Sequence, residues 1–262
     1  NAREPAAVAA SRREFTVVVH GTRRLPGACY CGGGRLTPVW EPTCASMALY
    51  HAAIIGRPWR REIAGRERGA KRAEGLAHFG LFDHRPTLLI TGGSLGAQRL
   101  NAAFASRVDE LRAHGIQVLH ISGQGKEFDP LSTGDGPPYV VAAYADRMDL
   151  AYAAADLVVA RAGANTVCEL TAVGLPAIYV PLPIGNGEQR LNARDVVAAG
   201  GGLLVEDSFL TAEWIDETLV SLAADGPRIR AMADAAAAIG ERDADERLAD
   251  MVALAADSRA AR

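Results

Sequence analysis

Hydrophobic residues along this chain fall into short continuous runs separated by stretches of helical period. The runs are Thr87–Thr91 (TLLIT), Ile116–Ile121, Tyr139–Ala143, Leu157–Ala160, Ala177–Val180 and Gly202–Val205. None alternates apolar with polar residues, so each reads as a strand buried on both faces, the mark of a parallel sheet covered by helices. Helices are predicted between the strands, over about 97–113, then Met148–Ala155, Asn165–Val173 and Gln189–Ala199. Six strands in alternation with helices predict an α/β, Rossmann-like domain.

The flanks read differently. After Leu210 the pattern is helical. Thr211 with Trp214 begins one helix, Asp225-Gly226-Pro227 breaks it, and two Ala-rich helices run to the end. Upstream, a basic stretch from Arg57 to Arg72 leads into a helix ending at His78-Phe79-Gly80. The first 50 residues hold three of the four cysteines and a Gly32–Gly34 run. Only Phe15–Val19 reads as a strand there, and the segment assembles into no domain. The expected division is an unassigned remnant at 1–50, the Rossmann-like domain at 51–240 and a C-terminal helix at 241–262.

Composition narrows the function classes. Of 262 residues, 49% are hydrophobic, enough for a sizeable core. The net charge of −3 lacks the basic excess of a nucleic-acid binder. No run has the length and apolarity of a membrane-spanning helix, and the first residues lack a secretory pattern. Cys29 and Cys31 form C-x-C without a matching downstream pair, which argues against zinc, and no metal is expected. Cys168 reads as a small buried hydrophobe in a reducing compartment. His120 reads as a packed strand residue; His78, His84 and His114 read as element ends.

Three loops at strand ends carry the candidate chemistry. Gly92-Gly93-Ser94-Leu95-Gly96-Ala97 joins a strand to a helix. Its glycines let backbone N–H groups approach a phosphate, and the helix N-terminus adds partial positive charge. The structural alternative is a tight turn with Ser94 as N-cap. The loop is neither G-x-G-x-x-G nor a P-loop, since no Lys follows. In the second loop, Arg161-Ala162-Gly163-Ala164-Asn165-Thr166, Gly163 permits close approach and Thr166 offers a hydroxyl. Glu169 lies three residues on, on the same helix face as Thr166. A carboxylate so placed accepts hydrogen bonds from ribose hydroxyls; its alternative is a solvated helix carboxylate, with Asn165 and Thr166 as caps. The third loop, Pro181 to Gln189, is rich in Pro and Gly. Glu188, Gln189 and Asn192 offer the carboxylate and amides that sugar hydroxyls need. An ordinary loop and first helical turn is the alternative.

Together, GGSLGAQRLN at 92–101, RAGANTVCELTAVGLPAIYVPLP at 161–183, EQRLNA at 188–193 and, more loosely, IGRPWRREI at 55–63 closely resemble the C-terminal half of the MurG family, glycosyltransferase family 28, in wording of an actinobacterial type. The resemblance covers roughly residues 50 to 250. It implies the C-terminal, donor-binding domain of a GT-B glycosyltransferase, preceded here by a degenerate N-terminal segment. It implies an inverting transfer of N-acetylglucosamine from UDP-N-acetylglucosamine to undecaprenyl-pyrophosphoryl-N-acetylmuramyl-pentapeptide in peptidoglycan biosynthesis, with no cofactor. By resemblance, Ser94 with the N–H groups around Gly93 and Gly96 faces the diphosphate, and Arg60 lies near it or at the interdomain cleft. Ala164, Asn165 and Thr166 approach the donor, and Glu169 holds the ribose hydroxyls. Gln189 with Glu188 reads the N-acetylglucosamine hydroxyls, Asn192 supports that loop, and main-chain groups at Tyr144 and Ala145 hold the uracil.

The chain departs from the family's pattern in three ways. Position 188 is Glu where many members have Gln. Position 145 is Ala where a larger aliphatic residue is common, which implies a looser uracil pocket. The family's N-terminal acceptor domain, with its Gly-rich loop, membrane-facing surface and the histidine that is its candidate base, is expected to be missing; Asn1-Ala2 match only the tail of an H-E-x-N-A motif. The composition of residues 3–50 suggests a shifted reading frame or a damaged gene. No catalytic residue is therefore assigned. The implied partners are the donor and the lipid-linked acceptor. The implied location is the cytoplasm, peripheral on the inner face of the membrane through the acceptor domain. Two other readings stay open: a truncated, non-catalytic UDP-sugar-binding module or inactive gene product, and a GT-B enzyme with another acceptor.

Overall fold

The computed structural model describes residues 30–31, 34–35, 68–93, 97–130, 135–184 and 187–242. The predicted strand at Phe15–Val19, the residues Arg60, Ser94 and Gly96, and positions 243–262 lie outside them. A two-residue antiparallel bridge pairs Tyr30–Cys31 with Gly34–Arg35. The body of the fold is one parallel sheet of β1 (Thr87–Thr91), β2 (Gln117–Ile121), β3 (Tyr139–Ala142), β4 (Leu157–Ala160), β5 (Ala177–Tyr179) and β6 (Gly202–Leu204). Their spatial order is β3-β2-β1-β4-β5-β6, the doubly wound order whose topological switch falls between β1 and β4. Every strand predicted between residues 87 and 205 is present, with ends within one residue of those expected.

The continuous apolar runs arise because successive residues face two separate cores. Leu88 and Ile90 of β1, Val118 of β2, Val159 of β4 and Ile178 of β5 pack on one face. They meet α2 (Gln98–Ala105), α3 (Val108–Ala113) and a helical segment over 212–224, α7, through Leu100, Phe104, Leu111, Ile215 and Leu219. Leu89, Leu119, Val158, Ala177 and Tyr179 point the other way. They meet α1 (Arg72–Phe79), α4 (Met148–Ala154), α5 (Ala164–Ala172), α6 (Glu188–Ala198) and α8 (Gly226–Ile239), through Leu76, Ala151, Leu170, Val196 and Ala236.

The predicted helix over 97–113 is in fact two, α2 and α3. Ser106 donates its hydroxyl to the Ala103 carbonyl at 2.8 Å. Arg107 leaves the helical region, at φ −124°, and its guanidinium pairs with Asp216 of α7. That ion pair ties the break to the layer beneath. Other ends follow expected chemistry. Thr211 accepts from the Trp214 N–H at 3.3 Å as N-cap of α7, and Asp225 accepts from Arg228 N–H at 3.0 Å as N-cap of α8. Within α7, residues Ile215–Leu219 widen to a π turn.

Ahead of β1, a 3₁₀ turn at Arg68–Lys71 leads into α1, which lies along α4. The buried Lys71 ammonium pairs with the buried Asp149 carboxylate, which Arg147 also grips at 2.9 Å. The Arg147 hydrogen bond, then that from Lys71, holds the Asp149 carboxyl well below the usual range, against the opposing effect of burial. The helices touch at Gly75, where a β-carbon would sit 2.5 Å from the Leu150 carbonyl oxygen, a backbone atom without room to retreat. Replacing Gly75 by Ala gains roughly 1 kcal/mol of helix propensity, but the overpacking cost is about 1–3 kcal/mol. Gly75→Ala is therefore expected to lower the urea midpoint at unchanged m-value; an equal or higher midpoint would show that α1 can slide off α4.

Candidate functional site

Register brings the predicted loops together. Across the carboxyl edge of the sheet, Ala142, Ile121, Thr91, Ala160, Tyr179 and Leu204 are successive paired neighbours. The loops after β3, β1, β4 and β5 therefore leave from one edge, and those after β1 and β4 flank the switch point, where open α/β sheets bind ligands.

The loop after β1 turns at Gly93, with φ +81°, a conformation glycine adopts without strain. Its N–H donates to Thr91 Oγ1 at 3.3 Å, and the space where a β-carbon would stand is open. In the loop after β4, α5 begins at Ala164 behind Gly163, one residue earlier than expected, and no side chain caps it. Its first internal bond runs from Val167 N–H to Gly163 O. The N–H groups of Ala164, Asn165 and Thr166 thus make up the positive pole of a nine-residue helix with no acidic residue in its first turn. This answers the capping alternative: Asn165 is exposed, and neither it nor Thr166 caps the helix.

Glu169 is not a merely solvated carboxylate. It is half-buried, and the buried Tyr152 hydroxyl of α4 donates to its Oε2 at 2.6 Å. Its neighbour Cys168 is half-buried, and burial, reinforced by the Glu169 charge, pushes the thiol up to about 11, which makes it a poor nucleophile.

After β5 the chain runs through exposed Leu182, Pro183 and Ile184, then enters α6 at Gly187, φ +81°. Gln189 accepts from Leu182 N–H at 2.9 Å through Oε1, bracing this loop. Asn192 is buried and donates to the Ala162 carbonyl at 3.0 Å, so it supports the loop after β4. Glu188 is exposed in the first turn of α6. In the loop after β3, Ala145 is buried in the core while Tyr144 is exposed, so only main-chain groups of position 145 can face a ligand.

Two features of the site had no assigned role in the sequence. Arg161, at the end of β4, is buried and donates to the carbonyls of Val180 and Pro181, both at 3.2 Å. It pairs with Asp207 at 2.5 Å, and Asp207 also pairs with Arg99 of α2 at 2.9 Å. These contacts fasten the loops after β4, β5 and β6 to the first turn of α2. A charged residue closing an all-apolar strand was the visible signal for Arg161; Asp207, 46 positions on, carried none. The second feature is a buried chain of hydrogen bonds. Asn101 donates through Nδ2 to the Ser122 carbonyl at 2.9 Å, so its Oδ1 accepts from His120 Nε2 at 3.0 Å. His120 Nδ1 then accepts from the Tyr139 hydroxyl at 2.9 Å. This order requires neutral imidazole, and burial pulls the His120 pKa down to about 4. The expectation of a packed strand histidine holds.

The glycosyltransferase family 28 C-terminal domain matches residues 87–248, and the chain belongs to this family. It is 52% identical over 250 residues to the UDP-N-acetylglucosamine–N-acetylmuramyl-(pentapeptide) pyrophosphoryl-undecaprenol N-acetylglucosamine transferase of Nocardioides sp., covering 95% of this chain and 68% of that enzyme. The enzyme of the same name from Acidothermus cellulolyticus is 49% identical over 260 residues, 97% of this chain and 70% of that one. That match therefore extends into residues 1–50. Among solved structures, MurG of Acinetobacter baumannii superposes with a TM-score of 0.59 at 26% identity, over 72% of this chain and 54% of that one. The chain is thus a family 28 glycosyltransferase sequence with the fold of a GT-B enzyme's C-terminal domain. Among the described residues, no helix is long and apolar enough to cross a membrane.

Two outcomes test this geometry. Asp207→Ala strands the Arg161 guanidinium, whose side chain is only 10% exposed; breaking a buried pair from one side is expected to cost about 3 kcal/mol in chemical denaturation, whereas a change within 0.5 kcal/mol would show the pair to be solvated. Acid is expected to act through His120. Unfolded, the ring titrates near 6.5; folded, near 4. The unfolded chain thus binds the extra proton in that window. The stability is complete above pH 6.5 and drains away as pH falls toward 4, by about 2 kcal/mol at pH 5. Urea midpoints measured from pH 7.5 to 5 should show a shallower fall in His120→Gln than in the parent chain.

Proposed function

We propose that this chain forms the donor-binding part of an inverting hexosyltransferase that moves N-acetylglucosamine from UDP-N-acetylglucosamine to undecaprenyl-pyrophosphoryl-N-acetylmuramyl-pentapeptide. The observation that carries this reading is the convergence of the loops after β1, β4 and β5 at one sheet edge, all within the family match at 87–248. In the transfer, the acceptor oxygen bonds to the anomeric carbon while the bond from that carbon to the diphosphate breaks. The acceptor proton passes to a general base, and UDP leaves with the negative charge.

The residues divide this work by chemistry. Gly93 with Ser94 and Gly96, the open N–H groups at Ala164, Asn165 and Thr166, and Arg60 receive the diphosphate; helix poles and backbone donors stabilise the departing charge without moving. Glu169 accepts from the ribose hydroxyls. Glu188 and Gln189 read the sugar, the latter with Oε1 already turned to Leu182. Asn192 holds the β4 loop in place, and main-chain groups at Tyr144 and Ala145 face the base. The base catalyst and the acceptor belong to the family's N-terminal domain. Work at the inner membrane face, through a peripheral contact of that domain, follows from the same reading.

Calorimetric titration of the chain with UDP-N-acetylglucosamine, and with UDP-glucose as comparison, tests the proposal. Selective binding of the N-acetylated donor is expected. Glu169→Ala should weaken UDP binding by about 1–3 kcal/mol, the worth of hydrogen bonds to a charged group. Unchanged affinity in that variant would remove the ribose role, and no binding by a cooperatively folding chain would sink the donor-site reading for it.

A further inference from the structure

We propose that Tyr152 is a positioning residue for nucleotide recognition, its hydroxyl fixing one oxygen of the Glu169 carboxylate so that the carboxylate meets the ribose diol in a single orientation. The inference rests on the reading above that Glu169 takes the ribose. Tyr152 belongs to α4, a helix outside the three strand-end loops, and is 3% exposed within the core beneath α5. Its hydroxyl reaches Glu169 Oε2 at 2.6 Å, the short distance of a charge-assisted bond. Burial, and next the Glu169 charge, push the phenol well above its ordinary range. It therefore stays a protonated donor under all working conditions.

The physical consequence concerns entropy. A Glu side chain that must be ordered on binding loses about 1–2 kcal/mol of rotamer freedom. Fixing its rotamer beforehand transfers that cost from binding to folding, which is how preorganisation raises affinity. A supporting group behind the residue that touches the ligand does this best when it is itself rigid, and Tyr152 is buried and helical.

The same core supplies an internal control. Tyr179 of β5 is fully buried, and its hydroxyl has no hydrogen-bond partner among the described residues. Tyr152→Phe and Tyr179→Phe delete the same atom from the same kind of surroundings, but only the first removes a contact to Glu169.

The test measures dissociation constants for UDP and 2′,3′-dideoxyuridine diphosphate by calorimetry on the full chain. Their ratio reports diol reading alone. In Tyr152→Phe, UDP is expected to bind about three- to tenfold more weakly, the range of one ordinary hydrogen bond, with the dideoxy analogue unchanged, so the ratio shrinks. Tyr179→Phe should keep the parent ratio. Glu169→Asp, which keeps the charge but draws the carboxylate one methylene away from Tyr152, should also shrink the ratio, and it serves if Tyr152→Phe does not fold. A parent ratio in folded Tyr152→Phe, or in Glu169→Asp, overturns the positioning role, because a merely structural tyrosine would lower the melting temperature without touching discrimination. A parent ratio in Glu169→Ala instead removes the ribose reading beneath it.

Discussion

Parallel pairing across the seam between β1 and β4 is the constraint on which the site depends. Thr91 stands beside Ala160, and Ala160 beside Tyr179, so the chain must leave the sheet at one level in three adjacent places. A register slip of one residue would turn Leu88 and Ile90 into the core that Leu89 now occupies, and both cores would lose their fit. Burial on two faces thus fixes the register, and the register fixes where the helix poles of α2 and α5 point. The buried Arg161 secures the same edge from within, because two carbonyls of the β5 loop and the Asp207 carboxylate share its one guanidinium. Taking such a cation out of water is costly unless it is paired, and the partners of its Nη1 hold the loops in place.

Much of this was legible in the sequence, for a physical reason. Strands buried on both faces must be apolar throughout, and TLLIT and LVVA can satisfy little else. The turn after β1 needed a residue at positive φ, and Gly93 supplies it. The break between α2 and α3 was not legible: Ser106 and Arg107 are compatible with a helix interior, and Asp216, the partner that ties the break down, lies more than a hundred positions on. The same holds for Tyr152. In MDLAYAA it reads as one more core residue, and only folding shows that its hydroxyl lies against Glu169. Side chains that touch a ligand tend to sit in recognisable loops, while those that orient them come from any element that passes nearby.

Several candidate residues also hold backbone in place. By sequence, Gln189 and Asn192 are groups for a sugar and its loop. One braces the β5 loop at Leu182, and the other ties α6 to Ala162 of the β4 loop. Ala145 turns its methyl into the core. Amide side chains that hold backbone in place make a site rigid before any ligand arrives, which matters most where the donors aimed at the ligand are themselves backbone N–H groups.

From this follows a division in how the site should tolerate change. In the proposed reading, the diphosphate is met by backbone groups of two glycine-containing turns and by the poles of α2 and α5, which no single side chain provides. A loss of one hydroxyl there leaves the other donors in place. The ribose, by contrast, is read in this scheme by one carboxylate, which accepts from the Tyr152 phenol. On that reading, recognition of the charged part of the nucleotide is distributed and robust, while recognition of the sugar ring is concentrated in a contact between α4 and α5. Selectivity for the ribose then rests on the packing of α4 against α5 as well as on the loops that face the ligand.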